Sequence, residues 1–176
     1  MFHRYVVEIA HATPDHDEPV LRKVEPYKLW YVNNGLYVVG FDHRTSDLRV
    51  FAVERIRSAI LTNQRFTIPP EFDFEKLTET AFQIIWGEPQ RVRIRFSADQ
   101  APYVAERTWH PSQKITWESG GSLVLEFAIG NLWEVKRWLI GWGATAQVLE
   151  PTRLLEEITT ECRTIVRRPK LRPQKR

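Results

Sequence analysis

Gly35-Leu36-Tyr37-Val38-Val39-Gly40-Phe41-Asp42-His43-Arg44-Thr45-Ser46-Asp47-Leu48-Arg49-Val50-Phe51-Ala52-Val53-Glu54-Arg55-Ile56 consists of two apolar runs joined by a polar, charged segment. β-Branched and aromatic residues on either side of a turn-forming cluster read as a strand hairpin. On the outgoing run Arg49, Phe51 and Arg55 stand at even spacing, so one continuous strand would project all three from the same face. Tyr37 and His43 share a parity on the incoming run. A ring flanked by guanidinium groups suits a ligand with a phosphate and a base, because arginine pairs bidentately with phosphate and an aromatic face stacks on a base. By composition alone, Tyr37 and Phe51 read as core packing and the arginines as ordinary surface charge.

Upstream of the hairpin, Tyr5 to Ala10 is a short β-prone run, and Thr13-Pro14-Asp15-His16-Asp17-Glu18-Pro19 is dense in turn formers. Val20 to Val32 alternates imperfectly through Pro26, which cannot donate to a ladder and so marks an edge, bend or bulge. Asn33-Asn34-Gly35 turns the chain into the hairpin. Downstream, Ile56 to Ile68 supplies either another strand pair or one long bent strand before Pro69-Pro70 stops regular structure. About five short strands in succession point to a small β-barrel over residues 1–70.

The second half reads differently. Asp73 can cap a helix carrying Phe74, Leu77 and Ala81 and ending near Gly87, a linker over residues 71–90. Arg91 to Phe96 alternates strictly, with Val92, Ile94 and Phe96 on one face and Arg91, Arg93 and Arg95 on the other. Those arginines form either a solvated outer face or a minor phosphate patch. A helix with Pro102 in its first turn follows, then strands bracketing Ser119-Gly120-Gly121-Ser122, then a helix opened by a capping-box pair, Asn131 and Glu134. A strand over Ala146 to Leu149 completes a βαββαβ, ferredoxin-like order over residues 91–151. The fold class is α+β. Residues 152–166 form a last helix with Leu154, Leu155, Ile158, Cys162 and Ile165 as its apolar stripe.

The net charge is +3, and residues 167–176 alone hold six basic residues and no acid. The remainder is therefore slightly acidic, and attraction to a polyanion must come from a local patch or from the tail. The single cysteine, Cys162, excludes an intramolecular disulfide and fits a reducing, cytoplasmic setting, with the thiol placed on an apolar stripe as an inert core group. No apolar run approaches the ~20 residues needed to cross a bilayer as a helix, and the opening residues form no signal peptide. His11, Asp15, His16 and Asp17 match no metal-binding spacing, and no glycine-rich phosphate loop or nucleophile with a neighbouring base is legible. Neither a cofactor nor an enzymatic activity is expected.

The hairpin also resembles the WYL domain. The family's name-giving Trp-Tyr-Leu stands here as Leu36-Tyr37-Val38. Its arginine-x-phenylalanine and arginine-isoleucine stand as Arg49-Val50-Phe51 and Arg55-Ile56, flanked by Glu25-Pro26-Tyr27-Lys28-Leu29 and Arg65-Phe66-Thr67-Ile68-Pro69. Glu106-Arg107-Thr108-Trp109-His110-Pro111-Ser112-Gln113 and the stretch from Gly143 to Pro151 resemble the C-terminal extension that accompanies many WYL domains. The resemblance implies an Sm-like or SH3-like barrel serving as the effector-sensing part of a bacterial helix-turn-helix transcriptional regulator. It also implies a single-stranded DNA, RNA or nucleotide effector held by Tyr37, His43, Arg44, Arg49, Phe51 and Arg55, and a possible homodimer. The chain starts almost inside its first strand, so the expectation is either a piece of a longer regulator or a stand-alone sensor. The rival readings are a dimerisation or scaffolding unit using Trp133, Trp138 and Trp142, and unspecific binding by the basic tail.

Overall fold

The computed structural model describes residues 4–13 and 16–167. Pro14 and Asp15 of the first turn, and the basic tail from Arg168 onward, lie outside the described residues. The chain divides into two compact units, Met1–Leu77 and Thr78–Arg176. The class is α+β, with two antiparallel sheets and four α-helices among the described residues.

The first unit holds β1 (Tyr5–His11), β2 (Val20–Val32), β3 (Gly35–Asp42), β4 (Asp47–Ala52) and β5 (Ile56–Arg65), with a 3-10 turn at Val53–Arg55 and a short helix α1 (Phe74–Thr78). Their order in the sheet is β4-β3-β2-β1-β5. Asn33 and Asn34 both take positive φ (50° and 59°), and Val32 pairs with Gly35, so two asparagines make the tight turn and glycine opens the next strand. Pro26 sits at a register shift between β2 and β3, where β1 has already stopped pairing with β2, so its missing N–H leaves no ladder bond unmade. Ile56–Arg65 is one strand without a turn at Thr62. A small core of Ile9, Val24 and Phe51, flanked by Val7, Val38 and Ile56, covers one face of the sheet.

The second unit runs β6 (Gln90–Phe96), α2 (Ala101–Ala105), β7 (Lys114–Trp117), β8 (Leu123–Ile129), α3 (Leu132–Ile140), β9 (Ala146–Glu150) and α4 (Thr152–Val166), in sheet order β7-β8-β6-β9. Val92, Ile94 and Phe96 are fully buried, as the alternation of β6 requires. The outward arginines are ion-paired: Arg91 and Arg93 share Glu126 and Glu150, and Arg95 forks onto Glu118 at 2.7 and 2.9 Å. Three guanidiniums meet three carboxylates, so this face is an internal charge lattice rather than a phosphate patch.

Three local expectations are corrected. The helix after Pro70 has only five residues, because the chain beyond it is held by tertiary bonds. The Glu134 carboxylate accepts the N–H groups of Gln83, Ile84 and Ile85 at 3.0 to 3.3 Å, and the Thr80 carbonyl accepts that of Gly130 at 2.7 Å. Asn131 does cap α3, accepting the Trp133 N–H at 2.9 Å, while Glu134 turns away from the cap toward that segment. On α4 only Leu154 is buried, and Cys162 is exposed rather than a core thiol.

Candidate ligand-binding site

At one end of the first sheet a cavity of about 260 Å³ is lined by His11, Thr13, Arg22, Thr45, Arg49, Val50 and Phe51. Strand register brings them together. Val38 faces Phe51 and Gly40 faces Arg49 across β3 and β4, Val24 faces Asp42 across β2 and β3, and Arg22 faces Ile9 while Val20 faces His11 across β1 and β2. Opposed residues share a face, so His11, Arg22, Asp42, Arg49 and Phe51 all rise from one side of the sheet.

Phe51, 3% exposed, forms the floor. The His11 ring meets it edge-on at 5.4 Å and the Arg22 guanidinium lies over it at 5.9 Å. Arg22 is ion-paired with the fully buried Asp42, which also accepts the Arg44 N–H at 3.0 Å and the Thr45 hydroxyl at 3.2 Å. Asp42 thus neutralises one arginine and shapes the following loop. Arg49 is half-exposed and lightly held, at 3.4 Å from the Thr45 hydroxyl and 3.7 Å from Asp47. Several buried polar atoms on the wall have no hydrogen-bond partner: both ring nitrogens of His11, the Thr13 hydroxyl and Nε of Arg22. Burial, then the charges of Arg22 and Arg55, hold the His11 pKa below its ordinary value, so the imidazole is neutral near pH 7. The wall is rich in donors and net positive, which suits an anionic oxygen group.

Residues 1–61 match the family model of the WYL domain, and residues 88–166 match that of the WCX domain. The chain is a WYL-domain protein. Protein PafB of Mycobacterium leprae (strain TN) is 26% identical over 155 residues, covering 85% of this chain and 46% of PafB. The chain therefore spans about half the length of that relative. Among solved structures, a CRISPR Cas-related protein is similar in fold, with a TM-score of 0.56 at 13% identity over 95% of this chain and 48% of that one. Proteasome accessory factor B/C (PafBC) of Arthrobacter aurescens aligns at a TM-score of 0.41 and 15% identity, over 97% of this chain and 26% of its own.

The WYL unit does not gather all the residues expected of the site. Arg49 lines the cavity, and so does Phe51, but as a buried floor rather than an exposed stacking ring. Arg55 lies on the 3-10 turn instead of a continued strand. Its carbonyl accepts the Ala12 N–H at 2.9 Å, and its charge acts on His11. Tyr37 and His43 project from the opposite face. Tyr37 pairs with Ala52 and packs on Trp30 at 6.5 Å, and His43 bonds Glu25 at 3.0 Å beside the Phe41 ring. Glu25 also takes the Tyr27 hydroxyl, whose pKa is pushed up to about 12 by burial and then by the Glu25 charge. Arg44 is exposed on the loop, contributing its N–H to Asp42. Sequence reasoning missed His11, Thr13 and Arg22 as ligand contacts. Their only signal is that β1 and β2 flank the hairpin, which requires the sheet order to be known. No group of three or more His, Cys, Asp or Glu among the described residues is arranged to hold a metal.

Proposed function

We propose that this chain is the ligand-sensing module of a transcriptional regulator, binding a nucleic-acid or nucleotide effector on its WYL unit to control an attached DNA-binding domain, without catalytic chemistry of its own. The observation that carries this reading is the donor-rich cavity between Arg49, Arg22 and His11 in a chain that matches the WYL and WCX models. The labels Sm-like barrel and ferredoxin-like βαββαβ belong to the same proposal, supported by the strand orders β4-β3-β2-β1-β5 and β7-β8-β6-β9. A ligand shifts a regulator only if it binds one conformation better than another, so the effector must favour one conformation of the complete protein.

The test is fluorescence anisotropy with a short single-stranded oligonucleotide at low salt. Saturable binding is expected, weakened about tenfold or more by Arg49→Ala, since a charged hydrogen bond contributes about 1.5–3 kcal/mol. Lack of saturation, or an Arg49→Ala curve that overlays the wild type, would defeat the sensor reading. Loss of all binding on truncation after Val166 would assign it to the tail instead.

A protein-interaction role has one observation in its favour. Leu155, Cys162 and Ile165 leave an apolar side of α4 exposed beside a groove that also includes Leu139, Ala146 and Ile158. Trp138 and Trp142 do not contribute to it, because they pack with Phe96 and Trp109 in the second core. Sedimentation equilibrium of the wild type against Ile165→Glu tests it, a dimer lost in the variant being the supporting result.

A further inference from the structure

Three side chains on the far wall of the cavity carry buried polar atoms with unmet hydrogen-bonding capacity. His11 is 6% exposed with neither ring nitrogen bonded, the Thr13 hydroxyl is buried without a partner, and Nε of Arg22 is likewise unsatisfied. A buried donor or acceptor left unmade is destabilising, and three side chains with such atoms on one wall of a cavity large enough for a small polar group are the mark of a site completed by a ligand. The wall faces Arg49 across the opening, so the missing partner is an oxygen-rich anion.

We propose that His11, Thr13 and Arg22 bind a phosphate group of the effector opposite Arg49, and that the His11 imidazole takes up one proton from solvent as the phosphate enters. This rests on the sensor reading and names its chemistry. The neutral imidazole has one N–H and one lone pair, and a phosphate oxygen can meet the lone-pair nitrogen only if that nitrogen is protonated. The groups that face it are Arg22 from β2, already neutralised by Asp42 from β3, Arg49 from β4 and Arg55 from the 3-10 turn. In the unliganded protein these cations and burial oppose protonation. A phosphate offsets the cations and stabilises the imidazolium. No covalent bond of the ligand forms or breaks.

The experiment measures affinity for a tetramethylrhodamine-labelled oligothymidylate with no terminal phosphate, whose charge is constant between pH 6 and pH 8, with inorganic phosphate as competitor at one fixed pH. Linkage of one proton predicts binding that tightens by up to about tenfold per pH unit, up to about a hundredfold from pH 8 to pH 6, a dependence that flattens in His11→Gln, which keeps hydrogen-bonding capacity but cannot titrate. Calorimetry of the wild type in two buffers of different ionisation enthalpy reads the proton uptake directly and needs no variant. Saturable binding with no proton uptake, or the same pH slope in His11→Gln, overturns the role of His11 and leaves the sensor reading standing. Absence of saturable binding at both pH values overturns both.

Discussion

Gln83, Ile84 and Ile85 direct their N–H groups at one side chain, the 4%-exposed carboxylate of Glu134. Charge-assisted bonds to backbone donors are among the stronger ones a protein makes, and removing the acceptor strands the donors. Glu134→Ala is therefore expected to lower stability by about 2–3 kcal/mol in urea unfolding, with Glu134→Gln costing less because one amide oxygen still accepts. Two variants with midpoints equal to the wild type would show that water replaces the carboxylate without loss. Cys162 offers a second test at this scale. Its exposure on α4 predicts that a thiol reagent labels the native protein without prior unfolding. Labelling only in denaturant would return the thiol to a core position.

At the scale of strands and turns, one loop decides which side chains meet. Asp42 pairs with Asp47, so the hairpin loop is His43 to Ser46, and four residues place every odd position of β3 opposite an even one of β4. Tyr37 therefore shares a face with Ala52, and Phe51 shares one with Val38. A loop one residue longer or shorter would reverse this, because strand faces alternate with a period of two. Gly40 is constrained from the other side of β3, where it lies opposite Pro26 of β2. A Cβ there would stand 2.4 Å from the Glu25 carbonyl oxygen and 2.9 Å from a Val24 methyl. Backbone cannot yield as a flexible side chain would, so Gly40→Ala is expected to cost about 1–3 kcal/mol, read as a lower denaturant midpoint. An unchanged midpoint would mean that the β2 bulge absorbs the methyl. Local pattern made much of this legible: the alternation of Val92, Ile94 and Phe96, the break at Pro26, the Asn33-Asn34 turn and the Asn131 cap all follow from neighbours in sequence. What failed is what depends on distant partners. The parity of Tyr37 needed the loop length, and the fate of Glu134 needed a segment some fifty residues away. The cavity wall of His11, Thr13 and Arg22 needed the order of the sheet.

Across the whole molecule, each unit carries one buried histidine among the described residues, and both report on acid stability. His11 belongs to the first unit. His110 belongs to the second, 2% exposed, with Nδ1 at 2.8 Å from the Ser112 hydroxyl. Burial lowers the pKa of both, with Arg22 and Arg55 adding to the effect on His11, while the polar groups of Glu79 and Ala81 partly oppose it on His110. A lowered folded-state pKa means that the unfolded chain binds more protons wherever the pH lies below its ordinary value of about 6.5. Stability from these groups is thus complete above that pH and is lost as pH falls through it toward the folded values. Asp99, Glu118 and Glu126 are also held below their ordinary range by hydrogen bonds to neighbouring side chains, which extends the loss in the same direction at lower pH. Melting midpoints should therefore fall between pH 7.5 and pH 5, and the units can be followed separately. Six of the seven tryptophans lie in Thr78–Arg176 and only Trp30 in Met1–Leu77, so indole fluorescence tracks the second unit. His110→Gln should flatten the acid dependence of that signal while calorimetry still detects the loss from the first unit, and His11→Gln should do the reverse. A midpoint independent of pH over this range would mean that both imidazoles bind protons in the fold as they do in the unfolded chain. That would also remove the resistance to protonation of the unliganded His11 that a bound phosphate is proposed to offset.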